Sequence, residues 1–149
     1  FQEIQYPYGR MLEDLGTTYR LFEKCVHIVY CPVPLYFYYQ RPDSILHKRT
    51  LKFYEDKWDM GCQRYQYIRE KYPDMLENDA AMMKIVEHCY PYLRKDERRK
   101  AEMERFLQEF RTEAEGLLDS GFMRKYRFLK QSRGLYSALF LLKNGRAAK

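Results

Sequence analysis

From Thr50 onward the apolar residues Leu51, Tyr54, Trp58, Cys62, Tyr65, Ile68 and Tyr72 step by three and four. That spacing puts them on one side of a helix of about six turns, whereas a strand would send neighbouring side chains to opposite faces. A stripe this long must be covered by other elements, so the chain is read as mainly helical. Pro73 ends the first helix and Asp74 is placed as the cap of the next, which runs through Leu76, Ala80, Met83, Val86, Tyr90 and Leu93. A third is expected through Met103, Phe106, Leu107, Phe110, Ala114 and Leu117, ending near Gly121.

The N-terminal third differs. Pro7 and Gly9 mark a loop, and a helix is predicted from near Asp14 through Leu15, Thr18, Tyr19, Leu21, Phe22 and Cys25. His27 to Cys31 and Leu35 to Gln40 are short β-branched or aromatic runs separated by Pro32 and Pro34, and they read as two short strands. Two strands make a marginal sheet on their own. With a first residue that is Phe1 rather than Met, they raise the expectation of a larger sheet upstream. At the other end, a basic amphipathic piece from Phe122, a break at Gly134 and an apolar piece from Leu135 to Leu142 are expected.

Charge separates the tail from the rest. After Asp119 there is no acidic residue, while Arg124, Lys125, Arg127, Lys130, Arg133, Lys143, Arg146 and Lys149 give +8. The whole chain carries +6, so residues 1–119 sum to −2, and an anionic partner is an argument about the tail alone. Interleaved bases and aromatics there suit an anionic lipid surface; the plainer alternative packs the apolar face on the domain and leaves the bases in water. No nucleic-acid recognition motif is present. Apolar residues at 46% and charged residues at 32% place the 149 residues among globular chains rather than disordered ones. No apolar run reaches the roughly 20 residues of a membrane span. Cys25, Cys31, Cys62 and Cys89 lack zinc spacing and read as reduced core thiols of a cytoplasmic protein.

Two segments carry candidate chemistry. In Tyr8-Gly9-Arg10-Met11-Leu12-Glu13-Asp14-Leu15, two adjacent carboxylates follow a Gly loop and open a helix, whose positive end favours their charged form. An ionised Asp on such a loop can take a proton from an incoming hydroxyl. The plain alternative is an Asp14 N-cap beside a solvated Glu13. In Leu35-Tyr36-Phe37-Tyr38-Tyr39-Gln40-Arg41-Pro42-Asp43-Ser44-Ile45, a strand carries an Arg to its end beside a Ser hydroxyl. An Arg fork and a hydroxyl can hold phosphate oxygens; the plain alternative is a surface Arg.

Taken in order, Gly9-Arg10, Glu13-Asp14-Leu15, Leu21-Phe22, then Ile28-Val29-Tyr30 with Pro34-Leu35-Tyr36-Phe37-Tyr38, then Arg41-Pro42 and Ser44-Ile45, this stretch resembles the second half of the bacterial family 2 glycosyltransferases of GT-A fold. The likeness is densest from Tyr6 to Ile45, and Arg69-Glu70-Lys71-Tyr72-Pro73 continues it more loosely. The resemblance implies an inverting sugar transfer in which Asp14 is the catalytic base and Glu13 its neighbour. It places Arg41 near the donor diphosphate, with Ser44 and Tyr38 as further substrate contacts and His47 as a weaker candidate metal ligand. Tyr39 stands where the family pattern often has a second basic residue.

The same resemblance implies a divalent metal, Mg or Mn, in the full-length enzyme, yet the D-x-D that would hold it is absent from this chain. The expected fold is therefore mainly α with a small β remnant, the C-terminal piece of a GT-A type α/β fold followed by a helical extension. Residues 1–48 would close the catalytic domain, 49–119 form the extension and 120–149 the basic tail. Expected partners are a nucleotide-sugar donor and a saccharide or lipid-linked acceptor for cell-surface polysaccharide, with peripheral contact at the inner face of the cell membrane. The isolated chain is expected to be inactive, and an orphaned sheet edge promotes pairing, so a dimer is one expected state. The alternative is a non-catalytic helical binding module whose basic tail meets a membrane or an acidic partner.

Overall fold

The computed structural model describes residues 3–39 and 49–144. In chain order the helices are α1 (Glu13–Lys24), α2 (Leu51–Lys71), α3 (Leu76–Leu93), α4 (Glu97–Glu109), a 3-10 turn (Thr112–Leu117), α5 (Ser120–Gln131) and α6 (Arg133–Asn144). The helical reading holds.

The centre of the molecule is α3. It packs against α2, α4, α5, α6 and the 3-10 turn. Met83, Val86, Cys89 and Leu93 are buried on it, and so are Asp79 and Glu87 from its other sides. From α2, Tyr54 and Trp58 of the stripe are buried against it, joined by Met103 and Leu107 of α4 and by Tyr126, Leu129 and Tyr136 of the last two helices. The stripe frays where it leaves this core: Leu51 and Tyr72, at its two ends, are exposed. On a different side of α2, α1 lies close. A Cβ on Gly16 would sit 2.5 Å from the Met60 sulfur, so a side chain there would have to displace the buried Met60 side chain. At their far ends Glu23 accepts from the Tyr67 hydroxyl and from Lys71 at 2.6 Å.

Four expectations are corrected. First, no strand occurs among the described residues; His27 to Cys31 and Leu35 to Tyr39 run without regular structure, and Gln40 lies outside the described residues. Composition gave those runs strand character, but a strand exists only when its N–H and C=O groups find a neighbour, and the described residues supply none. Second, Asp74 is not a cap: α3 starts after Met75, whose carbonyl accepts from Asn78 N–H at 3.2 Å. Third, the helix expected to run from Met103 to Gly121 stops at Glu109. Phe110 turns extended and Arg111 reaches back to the start of α3, bonding the Asp79 carboxylate and the Pro73 carbonyl at 2.8 Å. Those bonds satisfy a buried carboxylate, which outweighs continuing the helix. Fourth, the tail breaks at Ser132 rather than at Gly134, which lies in the first turn of α6.

The four thiols are free, as expected, but only Cys89 is buried and Cys62 half-buried; Cys25 and Cys31 are exposed and are not core residues. No helix among the described residues is long and apolar enough to cross a membrane.

Candidate functional site

The loop before α1 is built rather than slack. Gly9 has φ +70°, a conformation open to glycine, and Arg10 follows it. Arg10 Nη1 donates to Asp56 Oδ1 at 2.7 Å and to Asp59 Oδ2 at 3.3 Å, both on α2. Met11 N–H donates to Asp56 Oδ2 at 2.9 Å and Lys52 Nζ to the same oxygen at 2.7 Å. Asp56 is 1% exposed, so one buried carboxylate collects two cations and an amide and clamps the loop to α2. Burial alone would raise its pKa; the bonds from Lys52, Met11 and Arg10 outweigh that and hold it below the ordinary Asp value.

The clamp feeds into strain. Leu12 adopts φ 59° and ψ 42°, left-handed backbone that costs a non-glycine residue about 1 kcal/mol, and it occupies the N-cap position of α1. Leu12 C=O accepts from Leu15 N–H at 3.0 Å. The turn presents Glu13 and Asp14, both exposed, at the positive end of the helix. Asp14 is therefore inside the first turn and not its cap. Its Oδ1 accepts from Leu15 N–H at 2.8 Å, and Oδ2 takes no bond among the described residues. Asp14 is exposed, so its second carboxylate oxygen is open to a group arriving from solvent.

Of the other sequence candidates, Arg41, Ser44 and His47 lie outside the described residues. Tyr38 is exposed and shares no bond with Glu13 or Asp14 among the described residues. It belongs to a run in which Val26, Ile28, Val29, Tyr30, Leu35, Tyr36 and Phe37 are all mostly exposed, an unusual amount of bare apolar surface for one short segment. No group of three His, Cys, Asp or Glu side chains among the described residues could hold a metal ion. The described residues therefore do not fit a divalent cation.

Three features escaped the sequence reading. Asp56 is the first; the only trace of it is the Lys52-to-Asp56 spacing of one helical turn. The second is a half-open groove of about 570 Å³ beside α2 and α4, whose lining includes Arg10, Trp58, Gln66, Arg69, Phe106 and Glu109. It combines aromatic wall with polar groups of both signs and shares Arg10 with the clamped loop. The third is His88 on α3, with Lys57 Nζ 2.6 Å from Nδ1 and Arg49 Nη1 2.9 Å from Nε2. Burial first, then the charges of Lys57, Arg49 and Lys125, push its pKa down to about 4, so the ring is neutral at pH 7.

The chain matches no protein-family model, no curated protein and no solved structure.

Proposed function

We propose that this chain is the C-terminal part of an inverting glycosyltransferase, and that Asp14 is its general base. The single observation that carries the reading is the exposed Glu13–Asp14 pair at the start of α1, held out by a strained turn that is anchored through Arg10 and Met11 on buried Asp56. Strain fixed by a buried clamp is a costly way to build a surface turn, and it is the kind of cost that catalytic positions carry.

In the proposed step Asp14 Oδ2 accepts the proton of an acceptor hydroxyl as that oxygen attacks the anomeric carbon. The bond from that carbon to the nucleoside diphosphate breaks, and its electron pair leaves with the diphosphate. Arg41 and Ser44 would steady the leaving phosphates. The groove that shares Arg10 with the loop offers the acceptor an aromatic wall and hydrogen-bonding groups on the helical side. The bare apolar run from Val26 to Tyr39 supports the same reading, because strands removed from a larger sheet would look like this.

A specific observation also favours the alternative module. Residues 49–144 build their core without any residue from the 26–39 run, so the helical part has no need of a sheet to pack. The coding sequence upstream of Phe1 separates the two. In-frame strand–helix alternation with a D-x-D is expected under the enzyme reading; a start codon next to Phe1 with no such half would leave the module.

A further inference from the structure

The last two helices leave a second apolar face that the core does not use. On α6, Tyr136, Ser137 and Phe140 point inward, Tyr136 and Ser137 fully buried. Leu135, Leu139 and Leu142 lie on the opposite side at spacings of four and three, 54%, 49% and 80% exposed. A helix that is apolar on two opposite faces needs a partner on the second.

Charge says which partner. Residues 120–149 carry eight bases and no acid. Among the described residues, the two acids that pair with α5 and α6 from other helices are already engaged. Glu87 is buried, accepts from the Tyr136 hydroxyl and lies 3.8 Å from Lys125. Glu104 accepts from the Tyr90 hydroxyl at 2.8 Å and lies 3.9 Å from Arg133. Arg124, Arg127 and Lys143 are exposed and make no ion pair among the described residues, and Lys130 only donates to the Tyr126 hydroxyl at 3.2 Å. A second copy of this chain would bring the same uncompensated bases to the contact. A bilayer interface with anionic headgroups meets both needs at once: acyl chains for the leucines, phosphates for the bases.

We infer that α5 and α6 form a docking surface for anionic lipid, with Leu135, Leu139 and Leu142 entering the headgroup–acyl boundary and Arg124, Arg127, Lys130 and Lys143 contacting lipid phosphate. The inference is independent of Asp14 and of any sugar transfer.

The test is co-sedimentation of the whole chain with vesicles of phosphatidylcholine alone and of phosphatidylcholine mixed with phosphatidylglycerol, at low and high salt. The chain is expected to pellet with the mixed vesicles only, and less at high salt. Leu135→Ser/Leu139→Ser/Leu142→Ser should weaken that binding on the order of a hundredfold with unchanged helicity by circular dichroism, since all three side chains are exposed. Arg124→Glu/Arg127→Glu, at positions without ion pairs among the described residues, should weaken it as well. Undiminished binding by the triple Ser variant, or no binding to mixed vesicles by the parent chain, overturns the inference. So does a dimer in light scattering that the triple Ser variant abolishes while lipid binding is absent, or retention on single-stranded nucleic acid without lipid binding.

Discussion

Asp56→Ala tests how the Glu13–Asp14 turn is held. The carboxylate is 1% exposed and receives Arg10 at 2.7 Å, Lys52 at 2.7 Å and the Met11 amide at 2.9 Å. Hydrogen bonds to a charged group contribute about 1.5–3 kcal/mol each when buried. Arg10 and Lys52 are 40% and 50% exposed, so they regain water once released and their share must be cut to roughly half. At the low end of that range the sum is about 3 kcal/mol, or about 10 °C in Tm for a chain of this size. Asp56→Asn keeps one acceptor but turns an N–H toward the donors, so about 2 kcal/mol is expected. Urea unfolding followed by circular dichroism measures both. The folded carboxyl is held below its ordinary value of 3.8, so its stabilisation is complete above that pH and is lost as pH falls through the folded value. The difference between wild type and Asp56→Ala should therefore shrink in strong acid. Losses under 0.5 kcal/mol for Ala, or a difference that does not shrink, would refute the clamp.

Two further perturbations probe the core around α3. His88 has its folded pKa lowered to about 4 from 6.5, so below pH 6.5 the unfolded chain takes a proton that the folded chain refuses. Stability should fall by roughly 3 kcal/mol between pH 6.5 and 4 and gain no further loss from this group below that. An imidazole resonance of His88 that titrates near 6.5 instead of near 4 in NMR would contradict the burial and the cationic neighbours described. Arg111→Met should cost about 3 kcal/mol in urea unfolding, because it leaves the Asp79 carboxylate buried with the Tyr65 hydroxyl as its one side-chain donor among the described residues. A loss below 1 kcal/mol would mean that Asp79 finds water.

The helices were legible because a period near 3.6 survives in the sequence: α1, α2 and α3 begin within a few residues of where spacing and proline place them. What was not legible depends on contacts distant in sequence. The stop of α4 at Glu109 is set by Arg111 reaching Asp79 at the head of α3, 32 residues earlier. The burial of most of α3 is hidden by polar residues such as Asp79 and Glu87, which look solvated until their partners Arg111 and Tyr136 are in place. Ile28-Val29-Tyr30 and Leu35-Tyr36-Phe37 read as strands from their composition, yet they are irregular and exposed, since a strand is a property of a pair. At the candidate site, Glu13 and Asp14 stood out from the Gly9 loop and the helix start. Asp56, which anchors that loop from 45 residues away, did not.

Asp14 is proposed as the base that takes the acceptor proton. Asp14→Asn tests this in the longer polypeptide that the glycosyltransferase reading requires, with nucleotide-sugar binding and turnover measured on the same preparation. Asn keeps the shape and the bond to Leu15 N–H but cannot accept the proton. Turnover reduced by at least about a thousandfold with donor affinity unchanged is the predicted result. Transfer at near the parent rate would contradict it and leave the Glu13–Asp14 turn a structural feature of a helical binding module.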